Sequence, residues 1–167
     1  MSDESTVPST EGQPVVAPSF LNEDLSTYDT SLPVVRGNPT TEVEITKVEV
    51  VLSAQKEDGS PQLRMLVIST KTTVDHISTK NKPIERGYPL PDQRITLDPL
   101  IGRPGKKDRT EEMIKRDVAK FVQSCGQKGG IYPLERFVGL RAMAKLGIEA
   151  ASGKWPEKND VTFVIRG

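Results

Sequence analysis

The sequence predicts a mainly β fold with one helix: five strands in a small barrel, preceded by a flexible N-terminal tail. Three observations predict it. Short segments with period-two apolar alternation recur after residue 40, one window with helical spacing falls between the third and fourth of them, and the first forty residues are polar and acidic. Residues 1–40 are therefore read as a disordered acidic tail and a docking arm, and residues 41–167 as the folded domain. A chain of 167 residues with 35% hydrophobic and 28% charged residues can bury one modest core.

The first strand spans residues 42–52. Val43 and Ile45 alternate with Glu42, Glu44 and Thr46, and the phase then slips so that Val48, Val50 and Leu52 continue it. A change of face within one strand predicts a bulge or strong coiling. Asp58-Gly59 marks a turn after it, and residues 63–70 form a second strand with Leu63, Met65, Leu66, Val67 and Ile68 apolar on both faces. Residues 71–91 read as a polar, basic loop carrying His76, Lys80, Lys82, Arg86 and Tyr88, and a short third strand follows at residues 93–97.

The helix is marked by Asp108 and Glu111 at capping-box spacing and by Met113, Ile114, Val118, Phe121, Val122 and Cys125 on one stripe, with Gly126 as its stop. Residues 134–137 add a helical turn after Pro133. A fourth strand runs from Gly139 with Leu140, Ala142, Ala144, Leu146 and Ile148 inward, and a fifth at residues 161–166 has Val161, Phe163 and Ile165 inward. Three strands, a helix and two strands make the order of an OB-like (oligonucleotide/oligosaccharide-binding) barrel, in which one helix plugs the end of a five-stranded Greek-key barrel.

Residues 1–19 are rich in Ser, Thr, Glu, Gly, Gln and Pro, a composition that cannot offset its ordering entropy and reads as disorder. In residues 20–40, Phe20, Leu21, Leu25, Tyr28, Leu32, Val34 and Val35 punctuate polar chain, which reads as an arm packed on its own domain or docked on a neighbouring subunit of a homo-oligomer. The first forty residues hold six acids (Asp3, Glu4, Glu11, Glu23, Asp24, Asp29) and one base, Arg36, a charge of −5; since the chain is neutral, the rest carries +5. That split is compatible with a polyanionic ligand.

Several chemistries are disfavoured. No apolar run reaches the ~18 to 20 residues of a membrane span, and the acidic start carries no secretory pattern. One cysteine, Cys125, permits no internal disulfide and fits a reducing compartment; with a single histidine it also argues against structural zinc. Gly126-Gln127-Lys128-Gly129-Gly130 lacks phosphate-loop spacing. His76 has no nucleophile tied to it, and Asp75, Asp92 and Asp98 lack metal-ligand spacing. The expectation is a non-enzyme with no cofactor and no metal.

The segment LSTYDTSLP at residues 25–33, the turn Gly87-Tyr88-Pro89-Leu90-Pro91-Asp92 before a short strand, the helix ending near Gly126, Val138-Gly139, and Lys158-Asn159-Asp160-Val161 resemble a group of uncharacterised phage-encoded proteins. Those are similar to single-stranded DNA-binding proteins and tend to be encoded beside replication and recombination functions. The resemblance covers roughly residues 20–167. It implies an OB-like fold, single-stranded DNA as partner and the host cytoplasm as location, and carries over no catalytic residue.

Single-strand binding needs cations for phosphates and flat side chains on which bases stack. The cations in strand positions are Arg64, Arg94, Arg141 and Lys145; those in framing loops are Lys80, Lys82, Arg86, Lys154 and Lys158. Each has solvated surface charge as its plain alternative. The stacking candidates are Trp155, in the loop between the fourth and fifth strands, which equally suits a cap on the barrel end, and Tyr88, which reads first as a turn anchor. Aromatics are only 5% of the chain, and Phe20, Phe121, Phe137 and Phe163 read mostly as core. The function expected is a phage single-stranded DNA-binding or replication-recombination accessory protein, whose acidic N-terminal tail either mimics the nucleic acid or recruits partner enzymes. The alternative is a virion structural or assembly protein that uses the arm for subunit contacts.

Overall fold

The computed structural model describes residues 15–28 and 30–166. The disorder reading of residues 1–14 and the acids Asp3, Glu4, Glu11 and Asp29 lie outside the described residues. The chain divides into two units, Met1–Ser31 and Leu32–Gly167. In the first, Ser19–Asn22 forms a 3-10 turn with no buried residue and Phe20 is exposed, whereas Phe121, Phe137 and Phe163 are buried, so most of the four rings are core as read. In the second, Val34 and Val35, read from sequence as arm, are buried core residues.

Five antiparallel strands make the main sheet. They are β1 (Thr40–Leu52), β2 (Arg64–Thr72), β5 (Gln93–Thr96), β6 (Arg141–Glu149) and β7 (Lys158–Phe163), in the order β5-β2-β1-β6-β7. The fold is mainly β with one helix, as expected. Closure differs: no ladder joins the edge strands β5 and β7, so the sheet is open among the described residues, although the two edges come within 8 Å, Cα to Cα. The predicted slip in β1 is a bulge between Ile45 and Lys47 in its register with β2. There Ile45 N–H donates to Leu140 O at 2.9 Å and Gly139 N–H to Ile45 O at 2.8 Å, so the bulged strand also holds the start of the fourth-strand segment.

The basic segment after β2 is more ordered than its sequence suggested. Two short strands, β3 (His76–Ile77) and β4 (Pro83–Ile84), pair as a ribbon. Two-residue strands give no periodicity to read, which is why composition alone suggested a loop. The ribbon is tied to the start of the unit: Val35 bridges Ser78, Arg36 N–H donates to Ile77 O at 3.0 Å and Thr79 N–H to Val34 O at 2.7 Å.

Helix α1 (Glu111–Ser124) has Thr110, not Asp108, as its N-cap: Thr110 Oγ1 accepts from Met113 N–H at 3.3 Å. Asp108 instead accepts from Gly102 N–H at 2.9 Å and closes the preceding loop. The C-terminus follows expectation. Gly126 has φ +69°, its N–H donates to Gln123 O, and Gln127 N–H donates to Val122 O, a Schellman ending that a left-handed glycine permits. The 3-10 turn Leu134–Phe137 is present as read.

The core gathers on Phe121 of α1. Its ring lies 5.1 Å from Phe137 and 5.0 Å, edge-on, from Phe163 of β7, spacings at which aromatic pairs attract beyond their buried area. Ala142, Ala144 and Leu146 fill the sheet beneath. Cys125 is buried, and desolvation pushes its thiol above the ordinary range. Two inward assignments fail: Ile148 is exposed near the end of β6, and Ile165 is exposed because β7 ends at Phe163. The strand begins earlier than read, at Lys158, because Asn159 is an inward position. Its side chain is buried, with Oδ1 accepting from Val35 N–H at 2.8 Å and Nδ2 donating to Val35 O at 3.1 Å and Gly147 O at 3.0 Å.

Replacing Asn159 by Ala strands three backbone groups at once. The Asn159→Ala protein is expected to lose about 1 to 3 kcal/mol of stability, measured by urea unfolding; a loss within error would mean that water or relaxation replaces the clamp.

Candidate nucleic-acid interface

The expected site residues fall in three places. Arg94, Arg141 and Lys145 lie on the outer face of the sheet, where Arg94 opposes Val67, Arg141 opposes Glu44 and Lys145 opposes Thr40 and Thr162. Carboxylates share that face. Glu42 pairs with Arg141 at 3.6 Å and with Arg166 at 2.7 Å, Glu44 with Lys71 at 3.6 Å, and Glu49 with Lys47 at 3.0 Å. Among the described residues only Arg94 and Lys145 of the expected strand cations keep unpartnered side chains. A continuous cationic groove across the strands is not what these residues build.

Arg64 falls in the opposite strand phase, at the far end of β2. Its guanidinium holds Asp98 through Nε at 2.9 Å and Nη2 at 2.5 Å, while its backbone N–H donates to the same carboxylate at 2.7 Å. That hydrogen-bonded guanidinium holds the Asp98 carboxyl below the ordinary range, and Asp98 in turn pushes Arg64 upward. The pair is charge-compensated. Tyr88 is a turn anchor: its N–H donates to Thr72 Oγ1 at 3.0 Å, its carbonyl accepts from Thr72 N–H at 2.9 Å, and its side chain packs on the core.

The third place brings several candidates together. Ser152 and Trp155 exchange backbone hydrogen bonds of 3.0 and 2.8 Å, a tight turn that presents Trp155 68% exposed with Lys154 Nζ 5.6 Å from the centre of its ring. Two residues on, Glu157 accepts from Thr79 Oγ1 at 3.4 Å, joining this turn to the tip of the β3–β4 ribbon. That tip carries Lys80 and Lys82, and Arg36 reaches it by hydrogen-bonding Asn81. Lys158 follows, paired with Glu149 at 3.5 Å. Arg36, Lys80, Lys82, Lys154 and Lys158 thus share this linked turn and ribbon tip with Glu149 and Glu157, and Lys154 stands against the exposed indole.

The reading of the sequence missed Arg36 as part of this cluster, because its place depends on Val35 being clamped by Asn159, 124 residues away. It also missed Tyr132, which is 70% exposed in the segment after α1; no pattern around Ile131-Tyr132-Pro133 distinguishes it from a packed residue. His76 sits in β3, half-buried, with Nε2 lacking a partner; burial pushes its pKa down, with Asp75 opposing. Among the described residues no group of three or more His, Cys, Asp or Glu is placed to hold a metal, and no helix is long and apolar enough to cross a membrane. No protein-family model matches the chain, and no characterised protein matches it.

On the outer face, the hydrogen bond from Arg166 holds Glu42 below the ordinary 4.5. A carboxyl depressed in the folded state contributes stability above its unfolded pKa and loses it as pH falls through the folded one. Glu42→Gln is therefore expected to cost under about 1 kcal/mol at pH 7, as partly exposed pairs do, with the difference from wild type shrinking as pH drops below about 4.5. Urea midpoints across that range check it; a difference independent of pH would assign the effect to packing.

Proposed function

We propose that this chain is a single-stranded DNA-binding protein of OB-like architecture that serves phage DNA replication or recombination in the host cytoplasm, without catalysis of its own. The observation that carries the reading is Trp155, exposed on a hydrogen-bonded turn with Lys154 against its ring, the turn being joined through Glu157 to the lysine-bearing ribbon tip. Base stacking on an aromatic ring beside phosphate-binding cations is the general chemistry of sequence-tolerant single-strand recognition. The OB-like assignment is supported by strand connectivity: β1 pairs with both β2 and β6, β2 with β5 and β6 with β7, with α1 between β5 and β6. An OB barrel has these pairings together with contact between the two outermost strands. The phage setting rests on the sequence resemblance, and the tail's role in recruiting replication or recombination enzymes on its charge of −5.

Lys82, Lys154 and Lys158 act on phosphates in this reading, with Trp155 as the platform. Arg64, bound to Asp98, and Tyr88, anchored on Thr72, take no part in it.

Titration of the single tryptophan's fluorescence with a dT oligonucleotide of about 30 bases tests the reading. Saturable quenching that weakens steeply with salt is expected, because binding releases counterions. Trp155→Ala should weaken affinity, followed by anisotropy of a labelled strand, by about 1 to 3 kcal/mol. A flat titration at low and physiological salt would sink the proposal and favour the virion-assembly alternative.

A further inference from the structure

An open-sided apolar groove of about 580 Å³ runs along α1 on a surface that the nucleic-acid reading does not use. Its floor is Ile114, Val118 and Val122, one turn apart on the helix, and Ile131 lies on the facing loop. Lys115 and Lys128 are its charged lining residues, with no carboxylate between them. Lys115 is paired with Glu111 at 3.2 Å, whereas Lys128 has no side-chain partner among the described residues. The loop wall is fixed before any ligand arrives: Gln127 N–H is bonded to Val122 O at 3.2 Å, and Arg136 donates to Lys128 O at 3.2 Å and also to Gly130 O.

The chain contains a segment with the complementary chemistry. Phe20, Leu21, Leu25 and Tyr28 are 44 to 69% exposed, and the acids Glu23 and Asp24 stand among them. The segment is also locally shaped. Leu21 N–H donates to Pro18 O and Glu23 N–H to Phe20 O; Asp24 Oδ1 accepts from both N–H and Oγ of Ser26, and Tyr28 N–H donates to Leu25 O. Turns formed in advance lower the ordering cost of docking.

We infer that the groove along α1 receives residues 19–28 of a second copy of this chain, so that copies associate by exchanging arms. Apolar side chains left 44 to 69% exposed fill an apolar floor, and Glu23 and Asp24 meet Lys128. The inference does not depend on DNA binding. On a coated strand the same contact would link neighbouring copies and make binding cooperative, which is usual for single-strand binders.

Sedimentation equilibrium of the full-length chain without DNA tests it, with paired variants. Wild type is expected to associate with rising concentration. An arm variant, Phe20→Ser with Leu25→Ser, and a groove variant, Ala119→Glu with Lys128→Glu, should each lower the association constant by about tenfold or more, a loss of at least about 1.4 kcal/mol. Mixing the two variants should restore a one-to-one complex, because one keeps an intact groove and the other an intact arm. A synthetic peptide of residues 17–30 added to wild type needs no variant and should dissolve the association. Monomeric wild type at every concentration, association untouched by the peptide, or a mixture that stays dissociated would each overturn the inference.

Discussion

The buried amide of Asn159 is the interaction on which the arrangement of this molecule depends. Its Oδ1 and Nδ2 serve both backbone groups of Val35, at 2.8 and 3.1 Å, and Nδ2 also serves Gly147 O at 3.0 Å. A polar side chain in that position is tolerated only because its hydrogen-bonding capacity is largely satisfied; an unpaired amide there would cost more than an apolar residue. Once Val35 is fixed, Ser78 pairs with it, Arg36 and Thr79 continue the exchange, and a two-by-two-residue ribbon too short to persist alone gains a scaffold. Arg36 is then positioned to reach Asn81 at the ribbon tip, beside Lys80 and Lys82.

The distribution of charge gives the sheet and its end different capacities. On the outer face four cations are answered, Arg141 and Arg166 by Glu42, Lys71 by Glu44 and Lys47 by Glu49, while Arg94 and Lys145 are not. Exposed pairs of this kind add little stability. They do, however, cancel the local field a phosphate backbone would sense. At the ribbon end, Glu149 and Glu157 leave the surplus positive.

Elements with long periodicity were legible in the sequence, and those made by tertiary contact were not. The 3.6-residue stripe from Ile114 to Cys125 and the Gly126 stop located α1, and the slip between Ile45 and Val48 located the bulge in β1. The helix start was misplaced because Asp108 and Thr110 are both good caps, and only the geometry shows that Asp108 serves Gly102 while Thr110 serves Met113. The ribbon was invisible, since two residues carry no period. Ile165 looked inward by alternation, but an alternating pattern cannot say where pairing stops. The same limit applied to the site: Trp155 could be singled out as a lone indole in polar sequence, whereas the membership of Arg36 required a contact across 124 positions.

Two aromatic rings of the folded unit stand far out into solvent, and their surroundings separate them. Tyr132 stands near Arg64, whose guanidinium is already spent on Asp98 through two hydrogen bonds. A phosphate arriving there would have to displace a carboxylate. Trp155 has a larger π-surface, and its backbone is held by the exchange with Ser152. Lys154 lies over its ring at 5.6 Å, a cation–π contact. The same lysine carries the charge that a neighbouring phosphate needs. Stacking of about 1 to 3 kcal/mol per base outweighs a single exposed ion pair; the indole therefore sets where a strand would be held, and the surrounding lysines set how strongly salt opposes it.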